Sequence, residues 1–191
     1  MKSSTININL SRLTSLVHRR WNILVIAELY RLSGAKFISL VNGLGASRGS
    51  LKAALDHLVS LGFVERATGH GHPMRSEYLL TAQGLEIGEE CLALVEILKR
   101  RNELDLAFMK WTLPLVVAIG DRTLRFNELR RSLSDATPRA ITIGLKSLIN
   151  HGWASRSLID DFPPTAGYKL RSKGQRILVP AGGLCEIRLK S

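Results

Sequence analysis

The sequence predicts a mainly α chain with small β-hairpins (α+β), built as two tandem copies of one small domain joined by a helix. Three observations predict it. Aromatic, glycine and leucine positions recur with a period of about 90 residues; each period holds three stretches of helical apolar spacing; and each closes with two short extended stretches around a Gly- or Pro-containing loop. Trp21 pairs with Trp111, Phe37 with Phe126, Leu40 with Leu129, Leu55 with Leu145, Leu58 with Leu148, Gly62 with Gly152, Tyr78 with Tyr168 and Gly84 with Gly174, at offsets of 89 or 90. The expected organisation is an N-terminal arm over 1–18, a first domain over 19–88, a connecting helix over 89–108, a second domain over 109–177 and a C-terminal tail over 178–191.

In the first copy, Trp21, Leu24, Val25, Leu29 and Leu32 fall at helical spacing, with Gly34 as the stop. A short helix over Phe37 to Asn42 follows. After the turn Gly43-Leu44-Gly45-Ala46, Ser47 is placed to cap a third helix whose apolar face is Leu51, Ala54, Leu55, Leu58 and Leu61, ended by Gly62. Phe63 to Arg66 and Ser76 to Leu80 read as the hairpin strands. The second copy repeats this with Trp111 to Ile119, Phe126 to Leu133, and a third helix from Pro138 to Asn150. Thr137 stands before a proline suited to the first helical position, and Gly152 supplies the stop. Trp153 to Arg156 and Gly167 to Leu170 form its hairpin. Between the copies Ile87, Cys91, Leu94, Val95 and Leu98 keep helical spacing, so a helix is expected there rather than a loose linker. Cys91 reads as core and Cys185 as incidental; Trp21, Trp111, Tyr78 and Tyr168 read as core residues.

Three helices and a hairpin, the second and third helices joined by a tight turn, describe a winged helix-turn-helix. That shape suits double-stranded DNA, because a helix fits the major groove and a hairpin can lie on the backbone. The outward face of the third helix carries Arg48, Ser50 and Lys52 in the first copy and Arg139, Thr142 and Ile143 in the second. These are the expected base readers: arginine can bond guanine through two donors, and methyl groups can touch thymine. Ser47, Arg66, Arg75, Arg125, Arg130, Arg131, Thr137, Lys146 and Arg156 are the expected backbone contacts.

Charge narrows the class. The 191 residues hold 27 Lys and Arg against 16 Asp and Glu, a net +11, which predicts an anionic partner. Residues 109–177 have twelve basic and five acidic residues (+7), residues 19–88 have eight and five (+3), and residues 89–108 have three and five (−2). The excess follows the domains, and the second copy is expected to bind DNA more tightly. The longest apolar run, Leu113 to Ile119, is far short of the roughly 20 residues of a membrane span. The N-terminus lacks a leader's apolar core, so a cytoplasmic, nucleoid-associated protein is expected. No dinucleotide, phosphate-loop or serine-nucleophile motif is present, so no enzyme and no cofactor are expected. His70 and His72 lack a neighbouring Cys or Asp, so no metal is expected.

Lys110-Trp111, Arg125-Phe126-Asn127-Glu128-Leu129-Arg130-Arg131-Ser132-Leu133 and Leu145-Lys146-Ser147-Leu148, together with Gly62-Phe63-Val64-Glu65-Arg66 and Pro73 to Gly84, resemble the HxlR-type winged-helix transcriptional regulators, relatives of the MarR type. The likeness covers about three quarters of the chain. It implies a bacterial DNA-binding regulator acting as a homodimer on pseudo-palindromic sites. Two copies in one chain depart from that pattern, leaving a homodimer or a monomeric pseudo-dimer as alternatives, with or without a protein co-regulator. The second wing departs too, with Thr165 at the place of Arg75 and Asp160-Asp161 nearby. The competing functions are a replication initiator and a chromosome-associated scaffold that grips protein.

Overall fold

The computed structural model describes residues 10–67, 77–160, 162 and 164–185. It divides into two units, one over 16–108 and the other over 109–191 with 1–15.

In the first unit, α2 (Asn22–Leu32) is followed by β1 (Ala35–Lys36), α3 (Phe37–Leu44), α4 (Arg48–Ser60), β2 (Val64–Ala67), β3 (Glu77–Leu80), α5 (Ala82–Lys99) and the single turn α6 (Leu104–Ala107). Before it, α1 (Leu10–Val17) buries Leu13, Leu16 and Val17, so the expected arm is helical from Leu10. The second unit runs α7 (Thr112–Ile119), β4 (Leu124–Arg125), α8 (Phe126–Ser132), α9 (Pro138–Asn150), β5 (Ala154–Ile159), β6 (Thr165–Leu170) and α10 (Ser172–Gly183).

Each sheet has three strands rather than the expected two. The orders are β1-β3-β2 and β4-β6-β5, all pairs antiparallel. The repeat extends to the register: Arg66 faces Tyr78 and Val64 faces Leu80 in one sheet, as Arg156 faces Tyr168 and Ala154 faces Leu170 in the other. The extra strands, two residues each, pair Ala35 with Tyr78 and Leu124 with Tyr168. They tie the start of α3 and of α8 to the wing of the same unit.

The helix ends follow from local chemistry. The Ser47 side chain accepts the Ser50 N–H, and that of Thr137 accepts the Ala140 N–H, each at 3.2 Å. Each such cap contributes about 1 kcal/mol. At the other end Gly62 and Gly152 adopt φ of 78° and 74°, a left-handed turn that glycine enters without steric cost. The N–H of Phe63 then donates to Leu58 O at 3.0 Å and that of Trp153 to Leu148 O at 2.8 Å. Leu51, Ala54, Leu55 and Leu58 of α4 are buried, as are Ile141, Gly144, Leu145 and Leu148 of α9.

Helix α5 runs unbroken from 82 to 99, packs along α2 and buries Ile87, Cys91, Leu94, Val95 and Leu98. In the second unit α10 packs on α7, burying Ile177, Pro180, Ala181 and Leu184 while Val179 stays exposed. Cys185 is buried as fully as Cys91. Trp21, Trp111, Tyr78 and Tyr168 are half-buried, short of the core positions expected, whereas Trp153 is fully enclosed.

Gly84 and Gly174 face the tightest approach. A Cβ at Gly84 would stand 2.1 Å from Phe63 O, and one at Gly174 2.4 Å from Trp153 O. Both obstacles are backbone and cannot rotate away. Gly84→Ala and Gly174→Ala should each destabilise their unit by about 1–3 kcal/mol in denaturant unfolding. Gly182→Ala, whose Cβ would meet nothing within 4 Å, should stay within about 0.5 kcal/mol.

Candidate nucleic-acid interface

Helices α4 and α9 have the same length and the same cap position, so their faces compare residue by residue. Apolar burial on one side leaves Ser47, Arg48, Ser50 and Lys52 exposed on α4, and Thr137, Arg139, Thr142, Ile143 and Lys146 exposed on α9. In this frame Arg48 corresponds to Pro138 and Arg139 to Gly49. The two arginines are thus one residue out of step and leave their helices about 100° apart. Lys52 corresponds to Thr142, Ala53 to Ile143 and Asp56 to Lys146.

Several of these groups are already engaged. Ser47 Oγ donates to Ser50 Oγ at 2.9 Å while accepting the Ser50 N–H. Lys52 Nζ donates to Asp56 Oδ2 at 2.7 Å, and this contact raises the lysine's pKa, by hydrogen bonding first and charge second. Both side chains are well exposed, so the pair adds little to stability. Its effect is to lower the positive field of that face. On α9, Thr142 Oγ1 donates to Pro138 O at 2.9 Å, which leaves its methyl as the group to present. Ile143 is 49% exposed beside it. Among the described residues, the α9 face is thus apolar and cationic, and the α4 face is polar and partly neutralised.

The preceding helices diverge in the same direction. Arg130 and Arg131 are exposed at the end of α8, where α3 has Val41 and Asn42. Arg130, Arg131, Asn127, Ser134, Asp135 and Thr137 border an open cleft of about 820 Å³ beside the start of α9. Arg131 Nε donates to Asn127 O at 3.3 Å. Arg125 caps α8, its N–H donating to Glu128 Oε2 at 2.7 Å, and its side chain is exposed.

On the wings, Arg66 and Arg156 occupy matching exposed positions. Arg75, His70 and His72 lie outside the described residues. The second wing has six-residue strands, and near its tip Leu158 is 73% exposed and Phe162 fully so, next to Asp160. Among the described residues no group of three or more His, Cys, Asp or Glu is placed to hold a metal ion, and no helix is long and apolar enough to cross a membrane.

The structure adds a basic segment that helix-face reasoning missed. His18, Arg19, Arg20 and Trp21 face Gly49, Ser50 and Ala53 of α4 across a cleft of about 490 Å³. Arg20 is ion-paired with Asp105, and its guanidinium lies 5.8 Å from the Trp21 ring centre. Lys110 repeats this over Trp111 at 5.2 Å. The signal was a basic residue before each repeated tryptophan.

A family model described as HxlR-like helix-turn-helix matches the chain twice, over 16–104 and 107–187. The chain is 31% identical over 77 residues to an uncharacterized HTH-type transcriptional regulator of Methanothermobacter thermautotrophicus, covering 40% of this chain and 59% of that protein. It is 31% identical over 88 residues to another from Mycobacterium tuberculosis, covering 46% and 55%. The matches therefore span little more than half the length of these relatives. Among solved structures, the redox regulator HypR in its oxidized form is 32% identical, with a TM-score of 0.40 over 44% of this chain and 86% of that one. A MarR-family protein from Porphyromonas gingivalis is 26% identical, with a TM-score of 0.40 over 42% and 78%. With a separate match to each unit, the chain belongs to the HxlR-like helix-turn-helix family.

Proposed function

We propose that this protein is a sequence-specific, double-stranded DNA-binding transcriptional regulator that reads DNA with α4 and α9 in successive major grooves. The observation that supports this best is the pair of capped helices, each anchored by a buried apolar face and each presenting an exposed N-terminal half with an arginine in its first turn. The working DNA-binding domains are 19–88 and 109–177, linked through 89–108, with 1–18 and 178–191 as flanking segments. Arg48, Ser50 and Lys52, and Arg139, Thr142 and Ile143, meet base edges. Ser47, Arg66, Arg75, Arg125, Arg130, Arg131, Thr137, Lys146 and Arg156 hold the backbone, joined by Arg19 and Lys110. One chain supplies two reading helices and so acts as a monomeric pseudo-dimer; a homodimer would present four. The exposed Leu158 and Phe162 on the second wing suit a protein co-regulator better than phosphate.

Because the two reading faces differ at every outward position, the two halves of the preferred site should differ in sequence, about one helical turn apart. Genome-wide recovery of DNA bound to the intact chain checks this. A perfect inverted repeat, or diffuse recovery without a motif, would contradict it. Promoter-proximal sites would separate regulation from replication initiation. Arg139→Ala should cost about 1–3 kcal/mol on the best site and relax preference at one position, whereas Arg130→Ala should weaken all DNA alike and reduce the salt slope by about one.

The Lys52–Asp56 pair gives a test of opposite sign. Asp56→Asn removes an acid from the reading face and releases Lys52, so affinity for any DNA should rise and its salt dependence steepen. Unchanged affinity in a salt titration would place α4 away from DNA.

A further inference from the structure

The first unit carries a polar junction between α2 and α4, buried at its Asn22 end and half-buried at His57, that the second unit does not reproduce. Asn22, the first residue of α2, is fully buried. Its Nδ2 donates to Leu16 O at 2.9 Å and lies 2.9 Å from His57 Nδ1 on α4. A carbonyl can only accept, so Leu16 O fixes which end of the amide is nitrogen. His57 Nδ1 must then be the acceptor, and the imidazole is neutral with its proton on Nε2. Asn22 Oδ1 is buried with no hydrogen-bond partner among the described residues, so it offers no counterweight to a positive charge.

The charged and titratable groups around this imidazole are hostile to protonation. Arg19 and His18 approach from the segment before α2, the His18 ring centre standing 5.8 Å from that of His57. On α4 itself the adjacent acid, Asp56, is committed to Lys52. Burial chiefly, then Arg19 and His18, hold the His57 pKa below 6.5. A protonated His57 would also point an N–H at the Asn22 amide hydrogens. Turning the amide over would let Oδ1 accept that N–H, but it would set Oδ1 against Leu16 O and forfeit the bond that orients Asn22. In the second unit the same two positions are Thr112, buried with its hydroxyl unpartnered, and Ser147, whose hydroxyl lies 3.9 Å from Met109 Sδ. Neither titrates.

We propose that Asn22 and His57 are positioning residues that seat α4 on α2 only while His57 is neutral, so that DNA binding through the first unit weakens on acidification. The DNA half rests on the reading of α4 as a reading helix; the seat itself does not. The sign follows from linkage. The neutral imidazole is the seated form, so its contribution is complete above 6.5 and is lost as pH falls through the lower folded value.

The test uses the intact chain and His57→Gln, whose side-chain carbonyl can accept from Asn22 but cannot titrate. Without DNA, NMR from about pH 8 to pH 5 should show His57 titrating below its ordinary value, with the Asn22 side-chain amide moving in step. In His57→Gln the amide should stay still. With the best recovered DNA site, the intact chain should lose about three- to tenfold in affinity over the range, in excess of any loss by His57→Gln. A His57 midpoint at or above 6.5 overturns the seat, as does an Asn22 amide that ignores its titration. Equal pH profiles for the two proteins on DNA overturn the coupling to binding. If neither binds DNA at any pH while the titration appears as described, the seat stands and the DNA reading fails. Should His57→Gln not fold, the titration in the unaltered chain decides.

Discussion

The placement of each wing against the third helix of its unit, α4 or α9, depends on one residue, Phe63 in the first unit and Trp153 in the second. Its N–H donates back to the last turn of the helix, and its carbonyl accepts the N–H of Thr81 or Arg171, at 3.1 and 2.8 Å, where the chain leaves the hairpin for the next helix. Both bonds belong to the backbone, so they fix the geometry whatever the side chain. The price is a bare Cα opposite that carbonyl, which explains why Gly84 and Gly174 occupy the same place. Helix end, hairpin and following helix thus meet at one peptide.

A frame held by backbone bonds leaves the outward side chains unconstrained. Surface substitutions away from caps and buried networks usually change stability by less than about 0.5 kcal/mol. The two copies could therefore diverge on the faces of α4 and α9 without loss of fold. The divergence is large: Asp56 against Lys146, Lys52 against Thr142, and an arginine displaced by one position. A displacement of about 100° around the helix matters more to base recognition than a change of side chain, since it redirects the donors entirely. Like folds here carry unlike faces.

The parts of this design visible in the sequence were those set by local chemistry. The caps Ser47 and Thr137, the left-handed Gly62 and Gly152, and the apolar spacing between them placed α4 and α9. The strands β1 and β4 were not legible, because two residues have no periodicity and form a strand only by pairing with a distant wing. The length of α10 was hidden by Pro180, although Ile177, Ala181 and Leu184 keep helical spacing. The arginine register was equally present in the sequence, but it shows only when caps rather than side-chain types are aligned. The basic residues before Trp21 and Trp111 were visible as a pattern, but only folding brings the first of them opposite α4.

The Asn22–His57 junction could not be read from periodicity at all, since Asn22 precedes the apolar run of α2 and His57 sits between buried and exposed rows of α4. Its energetics are nonetheless informative. A buried acceptor left unpaired costs about 1–3 kcal/mol, and the second unit bears a similar burden at Thr112. Both copies therefore hold a polar residue where a leucine or alanine would relieve the cost. In the second copy the hydroxyl is small and cannot change its charge. In the first, the amide spends both its hydrogens, one on a carbonyl that orients it and one on an imidazole that must stay neutral. The contact of α4 with α2 thus includes a group able to take up a proton, while the matching positions of the second unit, Thr112 and Ser147, hold none.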